Sequence, residues 1–380
     1  MRRLEFVFLL LFLFLMSCQK QEQRNVYLEE SYKINVSVSN EPYKGISEYL
    51  NLIKLVRLDD EPLVAPITDI EIVNDRIIVL DITSRILCYD MNGKSQYVID
   101  AKGNGPGEYS KIGFFSVNED EKEIWLYDYS QAMFYRYSLS NGKFLGRSFQ
   151  RKPMPSDIAF DDDIYYYDSQ DHRGYMEDEE FHYSLLMFKD GKSLVDKSFP
   201  HDEAEHDFNF QASEKSFYRS EELLYCKNLS KDVYALDKGN VFHRYEFVIP
   251  DWLGYGAIER KIDVWDLLDS DYVYGLCDIF RCNGMLAFRF SKGGFVYSAL
   301  YDLKEEKQIY CAPIAEGVKG SRVPLINAIV GAYKSQFISV LSSEYLNFQK
   351  HNNPDLLEEY LPGYDADDGN PVIAFYDVVR

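Results

Sequence analysis

Ile77-Ile78-Val79-Leu80-Asp81, then Ile86-Leu87-Cys88-Tyr89-Asp90 and the turn Met91-Asn92-Gly93-Lys94, is a pattern that the chain writes twice. About 47 residues later it returns as Ile124-Trp125-Leu126-Tyr127-Asp128, Phe134-Tyr135-Arg136-Tyr137-Ser138 and Leu139-Ser140-Asn141-Gly142-Lys143. Each copy holds apolar runs of strand length joined by hairpin chemistry. A period of this size built from strands points to stacked β-sheets, read here as propeller blades.

Working outward, the first blade has strands at 67–73, 76–80, 85–89 and 95–99, with turns at Asn74-Asp75 and Asn92-Gly93. An Asn-Gly pair between apolar runs is a strong hairpin signal because both residues accept positive φ. The second blade spans 113–149 and the third 157–199, with a turn at Asp190-Gly191 and a long polar loop at 169–182. The fourth uses 223–226, 233–236 and 241–249, and the fifth 272–282, 285–290, 294–302 and 307–311. The sixth takes 328–333, 337–341 and 372–378. Between its last two strands, 343–360 carries apolar spacing that fits two short helices broken at Asn352-Asn353-Pro354. That blade lacks an outer strand, which 51–58 can supply; such closure removes an open sheet edge. The expected fold is therefore all-β: a six-bladed β-propeller closed by an N-terminal strand, with a short helical insertion in the last blade.

Composition agrees. With 31 Tyr and 25 Phe among 380 residues, the chain favours pleated, half-buried surfaces. A net charge of −21 repels phosphate backbones, so nucleic acid is not an expected partner. Arg2 and Arg3 followed by the apolar run 6–15 read as an export signal, too short to span a bilayer as a helix. Leu15-Met16-Ser17-Cys18 resembles a lipobox, which implies cleavage before Cys18 and diacylation of its thiol; the only expected membrane contact is through that lipid. The expected organisation is a signal peptide at 1–17, a lipidated Cys18 with a flexible tether at 18–31, and one propeller domain at 32–380. The remaining cysteines, Cys88, Cys226, Cys277, Cys282 and Cys311, are odd in number and sit in apolar runs, as buried free thiols do.

Three stretches carry a resemblance: the linker Gly103-Asn104-Gly105-Pro106-Gly107-Glu108-Tyr109, the strand ends Leu80-Asp81 and Tyr127-Asp128, and Asp368-Gly369-Asn370-Pro371-Val372 after the helical insertion. The chain resembles the six-bladed β-propeller lipoproteins common in gut Bacteroidales, related in architecture to NHL-repeat propellers. The resemblance implies the fold and a cell-envelope location, as an outer-membrane lipoprotein facing the periplasm or the exterior. It implies no activity and no catalytic residues.

Candidate chemistry is sparse. Gly103 to Glu108 looks like a phosphate loop, but no Lys-Ser/Thr pair follows, and a tight connection between blades needs the same glycines. Asp81, Asp128 and Asp168 each close a second strand, where an Asp binds its own turn; as a ring of carboxylates at one mouth of the channel they would bind cations. His201, His206 and Asp207 form the densest group of metal-ligating types, set against an acidic solvated loop. Asp365, Asp367 and Asp368 with Gly369 depart from the spacing of a calcium loop. Trp252 and Tyr255, in a loop marked by Pro250 and glycines, and Tyr165 and Tyr167 are the aromatic candidates for stacking on a ligand; aromatics in strands otherwise fill the core between blades. No nucleophile elbow, His-Glu-x-x-His or CxxC occurs, and no cofactor is indicated. These signs describe a binding or scaffold module for a glycan, peptide or protein partner, contacted through the 169–180 loop and the 343–360 insertion. The alternative is a metal-dependent hydrolase or lyase, gluconolactonase-like, with its site in the central channel.

Overall fold

The computed structural model describes residues 26–27, 31–41, 43–149, 154–169, 182–201, 213, 215–254, 267, 270–313, 320–365 and 369–379. They form six blades arranged as a β-propeller, each built on four antiparallel strands, the sheet of blade 4 being extended to six by two parallel strands from the N-terminal segment. From the axis outward, blade 1 contains Ile67–Val73, Arg76–Asp81, Ile86–Asp90 and Ser95–Ile99. Blade 2 contains Phe114–Asn118, Glu123–Asp128, Met133–Ser138 and Phe144–Phe149. Blade 3 contains Asp157–Asp161, Ile164–Asp168, Tyr183–Lys189 and Ser193–Pro200, and blade 4 Phe217–Arg219, Leu223–Cys226, Asp232–Asp237 and Asn240–Val248. Blade 5 contains Val273–Cys282, Met285–Lys292, Phe295–Asp302 and Lys307–Ala312. Blade 6 contains Ile329–Tyr333, Gln336–Leu341 and Val372–Val378, and its outer strand is Leu50–Arg57, from the other end of the chain. The expected insertion is two helices, α1 (Ser343–Asn352) and α2 (Pro354–Tyr360). Ser342 caps α1 through its hydroxyl, and Pro354 starts α2, where its missing N–H costs nothing.

The unbroken apolar runs arise because both faces of a blade are covered. Ile77, Val79 and Leu87 pack toward blade 6, whereas Ile78, Leu80 and Ile86 pack toward blade 2. A one-residue slip would exchange the two interfaces, so each register is strongly specified. At the second quoted turn the structure differs from expectation. Gly93 has φ of +85° but Asn92 is not left-handed. Asp90 Oδ1 accepts from the Asn92 and Lys94 amides instead, and the ladder slips between Cys88 and Tyr89, as in a bulged hairpin. All five described cysteines are free, and all but Cys277 are buried.

The N-terminal segment does more than close the ring. Val26–Tyr27 and Tyr32–Asn35 run parallel to the outer strand of blade 4. The chain then donates from Ser39 N to Cys311 O on the edge of blade 5 before becoming the edge of blade 6. The Gln308 side-chain amide accepts from Ser37 N at 2.8 Å and donates to Ser37 O at 2.7 Å, imitating one step of a β-ladder. The outer strand of blade 4 is thus covered and that of blade 5 partly so, which protects them from pairing with other chains.

The two faces of the ring are unequal. Connections from first to second and from third to fourth strands lie on one face, here the turn face, and none exceeds five residues. Every longer connection, including the one holding α1 and α2, lies on the opposite loop face. The inner strands run from the loop face to the turn face.

Candidate functional site on the propeller axis

Charged side chains meet where the inner strands converge. In Thr68-Asp69-Ile70-Glu71-Ile72 the acids are two apart and so share one side of the strand, the side toward blade 2, and both line the cavities along the axis. Lys215, just before the inner strand of blade 4, places Nζ 2.6 Å from Asp69 Oδ1. Glu71 Oε2 accepts from Val117 N of blade 2 at 3.2 Å. Asp157, at the start of the inner strand of blade 3, accepts through Oδ2 from Ser216 N and Phe217 N at 2.8 and 3.0 Å. These carboxylates therefore tie blade 1 to 2, blade 3 to 4, and, through Lys215, blade 1 to 4.

Burial dominates the electrostatics. It raises both Glu71 and Asp157 to about 7, against the opposing pull of Lys215. Burial alone would push the Lys215 ammonium down, but Asp69, Glu71 and Asp157 together hold it above its ordinary value. The Lys215 side chain keeps a quarter of its surface, which opens into cavities deep in the ring.

Two cavities meet at this cluster and share Ile70, Lys215 and Val330 as walls. The one toward the turn face has a volume of about 210 Å³ and is lined by Glu71, Asp157, Arg219 and Tyr333 among others. The one toward the loop face has a volume of about 410 Å³ and is lined by Asp69, Asp278, Arg289 and Ser291 among others. Arg289 Nη1 donates to Asp278 Oδ2 at 2.6 Å. Burial raises the Asp278 carboxyl, with Arg289 opposing.

The residues singled out from sequence lie elsewhere. Tyr165 and Tyr167 are buried in the core between blades 2 and 3, the first with its ring edge-on to Trp125 and its hydroxyl donating to Glu121, the second against Phe188. Both rings are thus held between two sheets. Trp252 is half-buried and donates from Nε1 to Leu229 O at 3.1 Å. His201 Nδ1 lies 3.3 Å from Ser184 Oγ. Cys18, Tyr255, His206, Asp207, Asp367 and Asp368, and most of the 169–182 loop, lie outside the described residues. Among the described residues, no group of three or more His, Cys, Asp or Glu is arranged to hold a metal ion. The carboxylates that do converge on the axis surround an ammonium group.

The repeated aspartates build the turns. Asp81 accepts from Thr83 N and Oγ1 and from the Arg85 guanidinium. Asp128 accepts from Ser130 N and Oγ, and from Ser110 N at the entry to its blade. Burial works to raise both carboxyls, but these hydrogen bonds outweigh it and hold them below the ordinary range. Asp168 accepts from the Ser156, Ser216 and Tyr225 hydroxyls and so bridges blades 3 and 4, while the turn that follows it lies outside the described residues. In the glycine linker, Glu108 Oε2 accepts from Gly105 N and lies where a Gly103 side chain would stand, so the loop is filled by its own carboxylate.

The axial cluster was missed because alternating charge in a strand reads equally well as a solvated face. Its signal is that the alternation falls on the first strand of a blade, the one nearest the axis.

The architecture and this axis define a six-bladed propeller with charged cavities along its axis. The chain belongs to the family described as "Domain of unknown function (DUF4934)", whose pattern matches residues 30–377. It is similar in structure to a Bacteroides fragilis protein described as exported, with a TM-score of 0.73 and 17% identity over 92% of this chain and 100% of that one. It is also similar to a member of the DUF4221 family from Bacteroides vulgatus, with a TM-score of 0.48 and 8% identity over 88% and 99%. At such identities the first likeness supports the fold alone. No curated protein matches the chain.

Proposed function

We propose that this protein is a binding module, held at the cell envelope by a lipid on Cys18, that engages a protein or peptide partner across its loop face. The observation that carries the reading is the placement of exposed apolar side chains. Leu63, Ile82, Tyr129, Met154, Tyr272, Phe295, Val296 and Phe348 are all exposed and lie in loop-face connections or at the strand ends beside them, whereas the other exposed large apolar residues, Ile53, Val98, Phe144, Leu145, Val195 and Val248, are spread over the outer strands. Phe295 is 72% exposed at the tip of a blade 5 hairpin. Several exposed apolar groups on one face are what protein interfaces use.

The path of the N-terminus supports an orientation. Val26 and Tyr27 pair with Val241 and Phe242, the first residues after a turn-face hairpin. An anchor preceding them leaves from the turn face, so the loop face looks away from the membrane. A Cys18→Ser variant is expected to move the protein from the membrane fraction to the soluble fraction; unchanged membrane sedimentation would remove the anchor from the proposal.

The docking test is site-specific photo-crosslinking of the full chain in cells. A benzophenone side chain at Phe295 is expected to give a discrete protein adduct, and the same group at Lys238 on the turn face none. Equal adducts from both positions, or none from Phe295, would overturn the assignment of the face. Phe295→Glu should abolish adducts from a second probe at Tyr129 while changing stability by less than about 0.5 kcal/mol, since the side chain packs against little.

A further inference from the structure

We infer that the loop-face cavity on the axis is a binding site for a small zwitterion of the α-amino-acid type, taken up between the Lys215–Asp69 and Arg289–Asp278 pairs. This goes beyond partner docking and does not depend on it.

The wall of the cavity is built with strain. The inner strand of blade 5 loses register twice, between Tyr274 and Cys277 and between Cys277 and Phe280. Gly275 and Asp278 stand in the left-handed region, at φ of +69° and +50°. A regular strand needs neither. Bulges of this kind re-aim a side chain, and a left-handed non-glycine residue inside a strand persists only where the surroundings enforce it. Both Gly275 and Asp278 line the cavity.

Charge then selects the ligand class. Two carboxylates and two cations face the cavity, each pair closed at 2.6 Å, and their formal charges sum to zero. An anion or a cation entering alone would leave an uncompensated charge in a poorly solvated place, which costs several kcal/mol. A zwitterion keeps the site neutral: its carboxylate meets Arg289 and Lys215, and its ammonium meets Asp69 and Asp278. The guanidinium has capacity to spare, because Arg289 Nε is buried with no acceptor among the described residues. Ile70, Lys215 and Val330 line both cavities, and a volume of about 410 Å³ suits a compact molecule. Phe114, Phe290 and Val296 on its wall favour an apolar ligand side chain.

The test is calorimetric titration of the folded propeller with L-leucine, N-acetyl-L-leucine and L-leucinamide. L-leucine is expected to bind saturably, and each singly charged analogue at least about tenfold more weakly. No saturable binding of L-leucine up to about 10 mM, or equal binding of either analogue, would overturn the inference. Asp278→Asn is expected to weaken L-leucine binding at least about tenfold; unchanged affinity in a variant with an unchanged melting temperature would overturn the placement of the site. Because the analogue series uses the unaltered protein, a misfolded variant does not leave the question open. Loss of this binding would leave crosslinking at Phe295 intact, so the two readings fail separately.

Discussion

Lys215→Met is expected to destabilise the propeller by about 3 kcal/mol near neutral pH, and by more as the pH rises. The ammonium is the cation shared by Asp69, Glu71 and Asp157, and its removal leaves buried carboxylates unpaired. The pH dependence follows from Glu71 and Asp157, both raised to about 7 by burial. At pH 6 they can remain protonated and neutral in the variant. At pH 8 they must either ionise without a partner or hold protons that the unfolded chain would release, and both cost stability. In the unaltered protein the same raised carboxyls bind more protons folded than unfolded. Their contribution is therefore fully present below about pH 4 and is lost as the pH climbs through about 7. Glu71→Gln, which cannot ionise, should flatten that loss. Urea unfolding at pH 6 and pH 8 measures both effects. A Lys215→Met cost below about 1 kcal/mol, or one that shrinks with pH, would refute the view of Lys215 as the axial counter-ion.

Gly93→Ala is expected to cost about 3 kcal/mol, through the joint that closes the ring. Gly93 is left-handed, and a Cβ built on it would lie 1.8 Å from Arg57 O. The carbonyl has little freedom to retreat, because Arg57 pairs with Val372 and Asp59 N donates to Gly93 O at 2.8 Å. Gly363 is the control: its φ is +64°, but nothing lies within 4 Å of an added Cβ. Gly363→Ala should cost only about 1 kcal/mol, the backbone penalty alone. Equal losses for the two variants in denaturant unfolding would show that contact between blades 6 and 1 at Gly93 does not hold the ring closed.

Much of the fold was legible in the chain. The repeat located the blades, 51–58 was recognisable as the closing strand, and the Asn-Asn-Pro break divided α1 from α2. These are local matters, settled by strand periodicity, turn residues and helix caps. The pairing of Val26–Tyr27 and Tyr32–Asn35 with blade 4 was less legible, because a parallel strand laid on an edge needs no special sequence where it lands. Tyr165 and Tyr167 illustrate a second limit: an aromatic at alternate positions looks the same whether the opposing surface is water, a ligand or the next blade.

The residues by themselves determined the strands, their order within each blade and the strand that closes the ring, because adjacent strands pair through short connections and alternate with a period of two. Tertiary structure alone decided which alternating charges face the axis and which face solvent. Lys215 meets Asp69 from three blades away only because the ring closes. The same closure turns Glu71, Asp157 and Asp278 from ordinary strand carboxylates into groups raised by burial and opposed by Lys215, since burial and charge proximity are properties of the assembled ring.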